Sequence, residues 1–215
     1  MTIVSTANMT SDALAIVSEC GGSQATADLM IGIGLVKDSE AVYFQYLGED
    51  QNAALISPGG KPVSRIGNVY LTGITIAEDV YADAGFSGSK INLMLETQQG
   101  RSIMMTAGLT TIWTQCLITS LMGVAAADAL DHLLTISTWK GNSKMRPCFC
   151  SIFDGKVKMT DNATYQALTD ARADRDSKKT ESIIRDAIDV INASINGGPV
   201  SEAVVSEIDN EELGF

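Results

Sequence analysis

One short stretch of this chain sets positive charge among aromatic rings: Trp139-Lys-Gly-Asn-Ser-Lys-Met-Arg-Pro-Cys-Phe-Cys-Ser-Ile-Phe-Asp-Gly-Lys-Val-Lys158. Lys140, Lys144, Arg146, Lys156 and Lys158 face a single acid, Asp154, with Trp139, Phe149 and Phe153 between them. Unpaired nucleic acid asks for this mixture, cations for its phosphates and flat faces for its bases. The bland alternative puts the rings in a core and the lysines on a solvated loop. Taken alone, the stretch favours the bland alternative.

Other candidate chemistries fall away on inspection. His132 is the single histidine, which leaves little for His-based metal sites or Ser/Cys-His catalysis. Cys148 and Cys150 would share one side of an extended segment, but no second ligand pair follows, so buried apolar cysteine is the reading. Met30-Ile-Gly-Ile-Gly-Leu-Val lacks the third glycine of a dinucleotide fingerprint, because Lys37 stands there. Pro58-Gly-Gly-Lys61-Pro62 carries proline where a phosphate loop needs Ser or Thr. Both read as turn chemistry. Asp128 with Asp131, and Glu78 with Asp79, are paired acids of the kind that more often cap or solvate than catalyse. The expectation is a protein that is not an enzyme, with no cofactor and no metal.

Charge at first argues against nucleic acid. Across 215 residues, 26 acidic side chains oppose 15 basic ones, a net of −11. Affinity for phosphate comes largely from Lys and Arg. Resolved along the chain, the balance is −7 over residues 1–87, +3 over 88–160, −2 over 161–199 and −5 over 200–215. Lys90 and Arg101 add to the basic middle. A hydrophobic content of 45% marks a folded chain of ordinary domain size. Residues 102–127 hold no charge, yet Thr, Ser and Gln interrupt them and the apolar positions recur at helical spacing. A core helix over about 109–127 is expected, not a membrane span. The opening MTIVSTANMT has no basic segment leading into an apolar run, so a reducing, cytoplasmic setting (bacterial or infected-host) is expected.

The remaining pattern reads as mainly β with flanking helices. Residues 1–67 form an N-terminal arm with a short helix from Ser11 and a strand near Val42–Leu47. Residues 68–160 carry strands at 68–77, 90–97, 101–106, 132–139 and 146–153, with the uncharged helix before the fourth. Gly73 marks a bulge or bend, and Gln98-Gln-Gly100 a hairpin turn. Residues 161–199 give one or two helices broken near Asp174–Lys179, and 200–215 an acidic tail. Strand, strand, strand, helix, strand, strand resembles the OB-fold, a five-stranded barrel closed below by its helix. On the segment 146–153, parity sets Phe149, Ser151 and Phe153 against Cys148, Cys150 and Ile152, and either set is free to face a groove.

The chain closes Ser206-Glu-Ile-Asp-Asn-Glu-Glu-Leu-Gly-Phe215. With the strand order, this end resembles bacterial and phage single-stranded DNA-binding proteins, here a phage-type or divergent member. The chain departs from the bacterial pattern in lacking a Gly/Gln/Pro-rich linker and in its additions on both sides of the barrel. The resemblance implies binding of single-stranded DNA without strong sequence preference in replication, recombination or repair. It assigns DNA contact to Lys90, Arg101, Trp139, Lys140, Lys144, Arg146, Phe149, Phe153, Lys156 and Lys158. It assigns recruitment of replication or repair proteins, and competition for the DNA groove, to Asp209, Glu211, Glu212 and Phe215. No membrane partner is expected, and self-association is left open. The rival reading is a virion or tail component, or an adaptor, that binds no nucleic acid.

Overall fold

A computed structural model describes residues 27–34, 40–46, 52–78, 80 and 88–197. Its strands are β1 (Leu29–Ile33), β2 (Tyr43–Tyr46), β3 (Asn52–Ala54), β4 (Arg65–Ala77), β5 (Lys90–Thr97), β6 (Ser102–Gly108), β7 (Leu134–Lys140), β8 (Cys148–Asp154) and β9 (Val157–Met159). Its helices are α1 (Ile112–Ala126), α2 (Asn162–Ala173) and α3 (Ser177–Ile195). The architecture is therefore mainly β with flanking helices. The expected Ser11 helix and the acidic tail lie outside the described residues.

Period-2 alternation builds the sheet and buries one face of it. Along β5, Ile91, Leu93 and Leu95 are buried, as their spacing predicts. Gly100 closes the β5–β6 hairpin at φ 75°, a conformation that costs glycine nothing. In β4 the register slips between Leu71 and Gly73, which makes Thr72 the extra residue of the bulge expected there. A second slip lies between Gly67 and Val69, where Asn68 takes φ 57°.

The strands form one open mixed sheet in the order β3-β2-β1-β6-β5-β4-β7-β8-β9. The five strands expected of a barrel are consecutive neighbours in it, but the expected closed ring is not formed. Closure would pair β6 with β8. Instead β6 takes β1 as a parallel partner and β8 takes β9. The start of the segment Met30–Val36, read as turn chemistry, is instead strand, within β1 from Leu29 to Ile33. Pro58–Gly60 is a turn as expected, closed by Gly60 N–H to Ser57 O.

Side chains bring together what the backbone ladder leaves apart. Tyr43 on β2 donates its hydroxyl to Thr138 Oγ1 on β7 at 2.7 Å, although β2 and β7 stand five places apart in the sheet. Arg146, just before β8, grips Glu40, just before β2, through two hydrogen bonds of 3.0 and 2.8 Å. The sheet thus curls until its two wings touch.

Helix α1 explains its own lack of charge. Trp113, Leu117, Leu121 and Val124 pack into the core, while Thr114, Gln115, Thr119 and Ser120 are buried as well. The helix lies against β8, α2 and α3, so a charge on almost any side would be desolvated. Its hydroxyls are spent locally: Thr114 Oγ1 donates to Gly108 O at 2.8 Å and Thr119 Oγ1 to Gln115 O at 2.9 Å. The helix starts at Ile112, later than its apolar pattern implies, because Thr111 is the N-cap and accepts from Thr114 N–H. Among the described residues no helix is long and apolar enough to cross a membrane.

Two helices, not one, follow β9. Asp174–Asp176 breaks them, with Asp176 capping α3 through Lys179 N–H at 2.9 Å. Arg185 on α3 then holds Glu78 through 2.6 and 3.0 Å contacts, and together with Ser89 it keeps that carboxyl at a pKa of about 2. Glu78 is accordingly a structural acid, and Asp79 lies outside the described residues. Deeper in, Asn192 serves the free edge of β4. Its amide accepts from Ile74 N–H at 3.0 Å and donates to Ile74 O at 2.8 Å, above the point where β7 stops pairing. Asn192→Ala would strand both groups and is expected to lower stability by about 1–2 kcal/mol, read as a shifted urea midpoint with unchanged slope.

Candidate nucleic-acid interface

Register settles which face of the β7–β8 hairpin carries the rings. Trp139 pairs directly with Phe149, Ser137 with Ser151 and Thr135 with Phe153. Cys148, Cys150 and Ile152 turn to the core with Thr138 and Ile136 and are buried. The rings Trp139 and Phe149 stack at a centroid distance of 6.1 Å and an interplanar angle of 15°. Trp139 is 44% exposed, and on the loop beyond it Met145 is almost bare. Gly141 keeps the pair in place by absence: a Cβ there would stand 2.7 Å from Phe149 Cε2.

The basic residues divide. Lys140 closes β7, Lys144 is exposed in the following loop, and Lys156 is exposed in the tight β8–β9 turn. Lys158 is cross-strand from Phe153. Arg146 is committed to Glu40, and that pairing holds the Glu40 carboxyl below its ordinary range. It fixes the loop against the β2 side and is not a spare cation for phosphate. Lys90 is in register with Ala77, at the opposite end of β4 from Arg65, the partner of Ser137. It therefore belongs to another part of the sheet. Arg101 stands at the β5–β6 turn, where its N–H bonds Thr97 Oγ1 at 3.1 Å. Asp209, Glu211, Glu212 and Phe215 lie outside the described residues.

Arg65 joins this surface unforeseen. Its pairing with Ser137 puts it on the face of Trp139, and it is exposed. In the sequence it sits in a segment of net −7, which masks it.

Beside the hairpin, α1, β8, β9 and α2 line an open cavity of about 340 Å³. Its walls include Gln115, Cys116, Ser151, Lys158, Tyr165 and Arg172. Burial raises the Cys116 thiol pKa, while Arg172 and Lys158 pull it the other way, so both cations act on one spot. His132 bonds Asp154 Oδ2 at 2.8 Å, which raises its pKa. Comparison with protein-family models, curated proteins and solved structures gives no match for this chain.

Proposed function

We propose that this protein binds single-stranded DNA with little sequence preference, in replication, recombination or repair. The observation that carries the reading is the stacked, half-exposed Trp139–Phe149 pair on a strand face bordered by Arg65, Lys144, Lys156 and Lys158. A core ring hides, whereas this pair stands at the surface, where a base can slide onto it. Every base has a π-face, so such a platform is tolerant of sequence. The cations around it would take successive phosphates, making affinity fall as salt rises. Phe153 extends the strip along β8, two residues per step. The acidic end, with Asp209, Glu211, Glu212 and Phe215, would compete for these cations and present a terminal aromatic to a replication or repair protein.

Fluorescence tests the platform directly. Trp113 is 1% exposed and donates its Nε1–H to Thr138, so it serves as a constant background. Oligo-dT at low salt is expected to quench Trp139 alone. Trp139→Ala is expected to lose about 1–3 kcal/mol of affinity, roughly 5- to 150-fold. Absence of both quenching and a gel shift at micromolar protein would leave the structural or adaptor reading in its place.

A further inference from the structure

Gln115 is 7% exposed, and its Oε1 is the single buried side-chain polar atom without a hydrogen-bond partner among the described residues. Its amide nitrogen is engaged, donating to Thr110 O at 3.0 Å, which fixes which end of the carboxamide is free. Buried acceptors are ordinarily satisfied, so an orphan on a cavity wall points to something that completes it. Gln115 lines the cavity of about 340 Å³ and also a smaller one of about 200 Å³, with Arg172 common to both.

The other walls define what would fit. Lys158 and Arg172 converge from β9 and α2, and among the described residues neither is in an ion pair. They call for an anion. Gln115 Oε1 calls for an N–H or O–H donor. Tyr165, 55% exposed, offers a flat ring. The volume is at the small end of ligand pockets, about 300–1,000 Å³, which suits one nucleotide unit and not two.

We infer that this cavity binds a nucleoside monophosphate unit, its phosphate held by Lys158 and Arg172 and a base N–H donated to Gln115 Oε1. Trp139 and Phe149 are not among its walls, so the inference does not depend on the ring pair, although Lys158 is shared with the strand-binding face. The unit has two sources, a free mononucleotide or the phosphorylated end of a strand.

Cys116 supplies a local reporter, because it lines the cavity and is only partly buried. The full chain is alkylated with iodoacetamide in the presence of each deoxynucleoside monophosphate, of inorganic phosphate, or of a 5′-phosphorylated oligo-dT. The Cys116 peptide is followed by mass spectrometry. At least one monophosphate at millimolar concentration is expected to slow Cys116 modification about tenfold and to raise Tm. Protection by the oligonucleotide only would instead make a strand end the source. Gln115→Leu removes the orphan acceptor without adding a buried polar atom, and is expected to raise the Kd of the protecting ligand about tenfold. Arg172→Gln, an exposed change on α2, is expected to do likewise. Failure of every nucleotide to protect Cys116 overturns the inference. So does equal protection by inorganic phosphate with Gln115→Leu unchanged, since that would be an anion site alone. Trp139 quenching, read in parallel, reports the strand-binding face separately.

Discussion

Thr138→Val is expected to cost this protein about 2–5 kcal/mol of stability, a large part of the 5–15 kcal/mol typical of a folded domain. The residue is 1% exposed, and its Oγ1 accepts from Tyr43 Oη at 2.7 Å and from Trp113 Nε1 at 2.9 Å. Valine keeps the shape and deletes the acceptor. Tyr43 and Trp113 are as buried as Thr138, so neither donor can turn to water. Burial also pushes the Tyr43 hydroxyl pKa well above its usual range, which keeps it a neutral donor. Each stranded donor costs about 1–3 kcal/mol, whereas removing both partners of a bond is close to neutral. The double variant Tyr43→Phe/Thr138→Val is therefore expected to recover part of the loss. Urea denaturation of the two singles and the double measures the coupling. A loss below about 1 kcal/mol for Thr138→Val would mean that the sheet holds its curl without this rivet.

What could be read from the sequence was local. The β5–β6 hairpin, the Gly73 bulge, the uncharged helix and the break between α2 and α3 rest on period, turn residues and caps within a few positions. What escaped was pairing over distance. A strand with one buried face has the same alternation in a closed barrel and in an open sheet, so the edge partner of β6 was invisible. That partner, β1, was further disguised because Gly32 and Gly34 alternate with Ile31 and Ile33. Arg146 and Glu40 lie 106 residues apart, so the basic stretch looked richer in available charge than it is. The same separation problem hid Arg65, which only strand register sets beside Ser137. The ring pattern itself was legible, and register chose between its two faces. For Gln115 the helical pattern assigned a polar side to α1, and only the packing of α2 and α3 turned that side inward.

Gly123→Ala reverses the usual rule for helices. In a solvated helix, alanine would be favoured over glycine by about 0.5–1 kcal/mol. Here a Cβ at Gly123 would lie 2.6 Å from both the N and the C of Thr160 and 2.9 Å from its O. Those are backbone atoms at the corner between β9 and α2, with no rotamer to give way. The corner is also tied down, since Asp161 N–H bonds Thr119 O at 3.0 Å, one helical turn from Gly123. Relief requires α1 to move off the corner or the corner to shift, and a net loss of about 2–3 kcal/mol is expected by thermal or urea unfolding. The consequence should be local in function. Thr160 and Asn162 are walls of the cavity, and α1 must come this close for Gln115 to share it with Arg172. Where Gly123→Ala remains folded, it is expected to weaken protection of Cys116 while leaving the Trp139 signal intact. A more stable Gly123→Ala would show that the corner yields easily, and the close approach would then be no condition for the cavity.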